Sequence, residues 1–224
     1  MKVSAVVFDM DGLMVDTEPL YHSAWKQAAS EAGYEITDAL YATFVGRPTP
    51  VCEALLHDAL GPSFPLGQFQ KRWPELWKLQ IQNDGIPVKP GLIELLDFVE
   101  SERLPMAVAT SSEEEYTILT LSTAGLLDRF TVMITGDRVE RGKPEPDIYL
   151  EAARRLKVSP SECVAFEDSE AGIRAVQKAG MKGILVPHWP ASPEAVHAAF
   201  AVVETLHQAR DVLASVVQQR SRGQ

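Results

Sequence analysis

Residues Val6–Leu20 read VVFDMDGLMVDTEPL, with Asp9, Asp11 and Asp16 set directly behind an apolar run. From Val3 to Phe8 the apolar residues do not alternate with polar ones, which reads as a strand buried on both faces. Asp9 closes that strand, so its carboxylate projects at the carboxyl end. Asp11 follows one pleat further on, and Gly12 permits a sharp turn. Two carboxylates this close repel each other, and the arrangement is costly unless chemistry or a cation offsets it. The plainer reading is an Asp-Gly turn after an edge strand.

Outward from this stretch, similar apolar runs recur at Pro105–Ala109, Val132–Ile134, Cys163–Phe166 and Gly183–Val186. Helical patterns at Gly91–Arg103, Glu113–Ala124, Pro146–Leu156 and Ala171–Ala179 separate them. Strands alternating with helices predict an α/β fold, a doubly wound (Rossmann-like) parallel sheet with right-handed crossovers. Such sheets bind ligands beyond the carboxyl ends of their strands. From about Thr17 to Ile86 the alternation breaks into amphipathic helical segments, the clearest being Glu18–Ala32, stopped by Gly33. The expected organisation is an α/β core over residues 1–16 and 88–224, interrupted by a helical cap over 17–87. Asp16 reads as hinge or helix-cap structure, and Gln218–Gln224 as a polar tail.

Composition narrows the function. The 224 residues carry 21 Lys and Arg against 31 Asp and Glu, a formal charge of −10, with 46% apolar content. That is ample for a buried core, and the acidic balance without a basic cluster argues against nucleic acid or an anionic membrane as partner. Cys52 and Cys163 both sit in apolar patterns, so buried thiols in a reducing compartment are expected rather than a disulfide. The N-terminal apolar run meets Asp9 too early for a signal peptide or a membrane span. A cytoplasmic protein is expected; the sequence carries no signal for its oligomeric state, a monomer being one option.

Four motifs carry candidate chemistry. A carboxylate at Asp9 can attack phosphorus if the facing charge is neutralised, and Asp11 can donate a proton to the leaving oxygen and then activate water. In ECVAFEDSEAG a strand ends in Glu167–Asp168; two acids there suit Mg2+, a hard cation that takes oxygen ligands, although Asp168 or Ser169 could instead cap the next helix. In MAVATSSEEEY, Thr110 and Ser111 follow a strand; with a helix start framed by a Ser112/Glu115 capping box, they form a phosphate cradle or a plain cap. In RGKPEPDIY, Lys143 sits in a loop expected to be extended before Pro144, where its ammonium would offset nucleophile and phosphate charge or simply be solvated.

The order Asp-x-Asp, Thr/Ser, Lys, Glu-Asp, each after a successive strand, resembles the haloacid dehalogenase-like superfamily of phosphohydrolases. DMDGLMVDTEPLY, VATSS, GKPEPDIYLEAARRL and FEDSEAGIRAVQKAGM are similar to the subgroup with a helical cap that contains β-phosphoglucomutase and sugar-phosphate phosphatases. The resemblance covers nearly the whole chain. It implies Asp9 as nucleophile and Mg2+ ligand, Asp11 as general acid/base and a ligand through its backbone carbonyl, Asp168 as a direct ligand, and Glu167 as ligand or orienting group. It also implies that Thr110, Ser111 and Lys143 hold the transferring phosphoryl group. Haloacid dehalogenases and phosphonatases lack the acid two residues after the nucleophile, so Asp11 points to phosphate esters.

The expected activity is therefore a Mg2+-dependent phosphatase acting on a small phosphomonoester, a sugar or nucleoside phosphate. The alternative is a phosphosugar mutase, which must hold a second phosphate. Where β-phosphoglucomutases resemble Ser-Lys-Asn, this chain reads Ser112-Glu113-Glu114, and acid in place of base repels that phosphate. Arg47 remains a candidate for a distal anion. A non-catalytic binding protein on the same fold is the third reading, disfavoured by the intact Asp9, Asp11, Lys143 and Asp168. His22 and Trp25 read as cap surface and cap core.

Overall fold

The computed structural model describes residues 2–44 and 49–221. They divide into two compact units, one running to Asp16 and resuming at Ile86, the other spanning Thr17–Gly85.

The first unit is built on six parallel strands, β1 (Ala5–Phe8), β2 (Met106–Ala109), β3 (Val132–Ile134), β4 (Cys163–Glu167), β5 (Lys182–Leu185) and β6 (Ala201–Val202). Their spatial order is β3-β2-β1-β4-β5-β6. Val6 lies opposite Met106 on one side and Val164 on the other. All residues of β1, β2 and β4 are buried, which is why these segments, up to Glu167 at the end of β4, are continuous apolar runs rather than alternating ones. The fold is thus α/β with a doubly wound parallel sheet. β6 was not expected, because two residues make no recognisable run.

Helices α5 (Leu92–Ser101), α6 (Glu114–Thr123), α7 (Asp147–Leu156), α8 (Glu170–Lys178), α9 (Pro193–Ala198) and α10 (Leu206–Ser221) complete this unit. α7 packs on β1, β2 and β3. Ala5, Ala107, Ala109 and Ala165 from the sheet meet Ile148, Tyr149, Ala152 and Ala153 of α7 in one buried cluster, and the small residues let helix and sheet approach closely. Phe8 stacks on Phe166 with ring centroids 5.2 Å apart. The expected polar tail is corrected in part: residues from Gln218 to Ser221 are the last turn of α10.

The second unit contains α1 (Glu18–Glu31), α2 (Asp38–Ala42), α3 (Thr49–Leu60) and α4 (Leu66–Asp84), with α1 packed on α4. Pro19 in the first turn of α1 fits a helix start, since its missing N–H has no partner there anyway. Trp25 is buried amid Tyr41, Phe44, Phe69 and Trp73. His22 is not simply exposed: its ring lies 4.3 Å from that of Tyr41, and Nε2 is 3.1 Å from Asp38 Oδ1. Ile86 and Pro87 group with the α/β unit, where the Pro87 carbonyl accepts from Asp16 N and Val15 bridges Val88.

Among the described residues no helix is long and apolar enough to cross a membrane. Cys52 and Cys163 are buried and form no disulfide.

Candidate active site

After β1 the chain moves outward through β2 to β3 on one side, and β4 leads through β5 to β6 on the other. The carboxyl ends of β1 and β4 therefore flank the point where the winding reverses, and a crevice opens there by topology alone. Asp9 follows β1, Glu167 ends β4 and Asp168 follows it, while Thr110 follows β2.

The structure brings Asp9, Lys143, Glu167 and Asp168 together. Lys143 Nζ donates to Asp9 Oδ1 at 2.5 Å and to Glu167 Oε1 at 2.6 Å, and the side chains of Lys143 and Asp9 are only 6% and 8% exposed. Lys143 does not lie in an extended loop. Its segment is a turn closed by Glu145 N on Gly142 O, with a cis Lys143–Pro144 peptide. Asp9 N is tied to the Phe166 carbonyl, which fixes the nucleophile candidate against β4.

Glu167 is fully buried and heavily engaged. Its Oε1 accepts from Lys143 and from Tyr149 Oη at 2.5 Å; its Oε2 accepts from Asp168 N, Ser169 N and Ser169 Oγ. Ser169 also caps α8, accepting from Gly172 N. Capping and site building thus coincide in one segment. Gly172 has a spatial reason: a Cβ there would stand 1.8 Å from Glu167 Oε1. Gly12, at φ +81°, leaves room in the same way, since a Cβ would meet Asp168 Oδ2 at 2.1 Å.

The electrostatics follow from burial. Desolvation raises the Asp9 pKa from its usual 3.8 to about 7, even though the Lys143 ammonium pulls it down. Burial, with Asp9 and Glu167 nearby, pushes Asp168 well above the usual carboxylate range. Burial opposes the charge on Lys143, but the Asp9 and Glu167 carboxylates outweigh it and raise its pKa. Tyr149 is raised well above its usual value by burial and by Glu167, so it stays a hydrogen-bond donor. One ammonium faces three carboxylates here, an imbalance that a further cation would relieve.

Asp11 is held by the segment that follows β2. Its Oδ2 accepts from Ser112 Oγ at 2.8 Å and Thr110 Oγ1 at 3.4 Å, and its Oδ1 accepts from Tyr116 Oη at 2.8 Å. The expected Ser112/Glu115 capping box is corrected here. Glu113 is the N-cap of α6 and makes no side-chain cap bond, while the Ser112 hydroxyl is drawn to Asp11 instead. Thr110 is buried, and Ser111 is exposed with its carbonyl against Gly136. Arg47 lies outside the described residues.

Tyr149, Tyr116 and the Ser112–Asp11 bond were missed by sequence reasoning. Tyr149 left a signal: it falls in the buried stripe Ile148, Tyr149, Ala152, Ala153 of α7, where a hydroxyl needs a partner. Tyr116 and Ser112 left none, because their partner is about a hundred residues away in the chain.

Comparison with known proteins identifies the family. A phosphatase of phosphorylated carbohydrates from Thermotoga maritima is 38% identical over 182 residues, covering 81% of this chain and 84% of that protein. The fructose-1-phosphate phosphatase of Escherichia coli is 31% identical over 186 residues, covering 82% and 96%. A crystal structure from Thermotoga maritima, provisionally named a beta-phosphoglucomutase, superimposes with a TM-score of 0.84 at 36% identity, covering 96% of this chain and 100% of that one. The family model for haloacid dehalogenase-like hydrolases matches residues 6–186, the span holding every group gathered at the switch point, and the chain belongs to that family.

Proposed function

We propose that this hydrolase is a Mg2+-dependent phosphatase that acts on a small phosphomonoester, a sugar or nucleoside phosphate, through an aspartyl-phosphate on Asp9. The observation that carries the reading is the buried Asp9–Lys143–Glu167 ion network beside Asp168, at the carboxyl edge of β1 and β4. The similarity to phosphatases of phosphorylated carbohydrates supports the substrate class.

Asp9, Glu167 and Asp168 offer carboxylate oxygens within 4.8 Å of one another, a hard donor set that fits Mg2+. Asp9, Asp168 and the Asp11 carbonyl would hold the ion. With five donors already on its oxygens, Glu167 is better suited to orienting Lys143 and the Asp168 backbone than to direct ligation. When bound, the ion supplies positive charge against nucleophile and phosphoryl oxygens.

Asp9 attacks phosphorus, the P–O ester bond breaks, and the leaving oxygen takes its proton from Asp11. Asp11, now a carboxylate, removes a proton from water; that water attacks phosphorus and releases inorganic phosphate and Asp9. Lys143 holds Asp9 in line and, with the Thr110 hydroxyl and Ser111, receives the equatorial phosphoryl oxygens. The same reading places the protein in the cytoplasm, supported by the two buried thiols without a disulfide.

Asp9→Asn should abolish hydrolysis of p-nitrophenyl phosphate, and EDTA should do so reversibly in the unsubstituted protein. Retained turnover with Mg2+ in Asp9→Asn sinks the assignment. The name of the superimposing Thermotoga maritima structure favours a second reading, a phosphosugar mutase. Incubation of β-glucose 1-phosphate with catalytic glucose 1,6-bisphosphate separates the two: the phosphatase releases phosphate, the mutase yields glucose 6-phosphate.

A further inference from the structure

The side chain of Asp11 is short, and its terminal torsion is soft, so the carboxylate plane is fixed only by what it touches. Both oxygens are held, and from one segment. Tyr116, in the first turn of α6, donates to Oδ1 at 2.8 Å, and Ser112, just before that helix, donates to Oδ2 at 2.8 Å. The segment is itself braced. Ser112 N donates to Thr110 Oγ1 at 3.1 Å, Gly136 N donates to the Ser112 carbonyl at 2.8 Å, and the buried Thr117 returns its hydroxyl to the Glu113 carbonyl.

From this geometry we infer that Tyr116 and Ser112 are positioning residues for Asp11, a two-hydroxyl clasp that fixes the plane from which Asp11 passes its proton to the leaving oxygen. The inference rests on the proposed acid/base role of Asp11. Both hydroxyls donate to Asp11, whereas Asp9 and Glu167 are bridged by Lys143, so the clasp bears on proton delivery by Asp11. A small misplacement of a proton donor is expensive only when the leaving group needs the proton. Phenolate is far more basic than p-nitrophenolate, and the two phosphate esters have nearly the same shape. Their comparison isolates the step.

In Tyr116→Phe and in Ser112→Ala, kcat/KM for phenyl phosphate should fall about ten-fold while that for p-nitrophenyl phosphate changes less than about two-fold. Ser112→Thr, which keeps a hydroxyl, should retain the unsubstituted ratio. Thermal unfolding of each variant establishes that it is folded. Equal losses on the two esters, as a merely structural role would give, or no loss on either, overturn the clasp. Asp11→Asn belongs in the same series: if it too loses equally on both esters, the acid/base reading of Asp11 fails, a result distinguishable from failure of the clasp alone.

Discussion

Both units of the chain bury apolar side chains, but among the described residues they differ in what else they bury. The α/β unit carries Asp9, Glu167 and Lys143 out of water, with Glu167 at 0% exposure. The helical unit instead gathers aromatic rings, with Trp25 within 5.1 to 6.4 Å of four other rings. Burying charge returns little or nothing to stability even when the charges are paired. Burying aromatic surface is among the most stabilising things a chain can do. The α/β unit thus gives up stability at the switch point for chemistry, whereas the helical unit's interior is explained by packing alone.

Substitutions should separate these two economies. The largest effect is expected from Lys143→Met, which leaves Asp9 and Glu167 buried without their counter-charge. Activity on p-nitrophenyl phosphate should fall roughly a thousand-fold, and urea unfolding should show a loss of about 3–5 kcal/mol. A variant that is stable and active would mean the network is ornamental. Trp25→Ala should cost a similar amount of stability, about 3–5 kcal/mol, by opening a cavity. Its Mg2+ concentration for half-maximal activity should be unchanged; a shift there would break the comparison.

A smaller effect is expected from pH. Because the Asp9 pKa is raised from 3.8 to about 7, the folded, metal-free chain keeps a proton that the unfolded chain releases. Metal-free stability should therefore be full below about pH 4 for this group and decline as pH rises toward 7. Mg2+ should accordingly raise the unfolding midpoint more at pH 8 than at pH 5, read by thermal denaturation at the two pH values. An equal rise would place the ion away from Asp9. The smallest effect is expected from Arg154→Ala, because the Arg154–Glu151 ion pair lies at the surface and is screened by water and salt: neither the urea midpoint nor kcat/KM should move measurably.

The fold was legible where burial erased alternation. β1, β2 and the Cys163–Phe166 part of β4 are apolar throughout because both faces are covered, and each leads directly into the polar residues that matter, Asp9, Thr110 or Glu167–Asp168. Lys143 was legible through its motif, although the turn around it was not, because a residue before proline is compatible with an extended segment as well as with a turn. The supporting shell was not legible. Tyr149 reaches Glu167 across 18 positions, and Tyr116 reaches Asp11 across 105, contacts that only the packed sheet creates. Gly12 and Gly172 each look like an ordinary turn or helix glycine until the neighbouring carboxylate is in place. Ser112 illustrates the competition directly: a helix-capping pattern lost its hydroxyl to a carboxylate from another strand.

The account turns on Asp9 carrying the phosphoryl group. Rapid acid quench during turnover of p-nitrophenyl phosphate, followed by peptide mass mapping, tests this most directly. A phosphoryl adduct on the peptide containing Asp9, absent from Asp9→Asn, is the predicted result; an adduct on another residue, or turnover in Asp9→Asn at the unsubstituted rate, would contradict it.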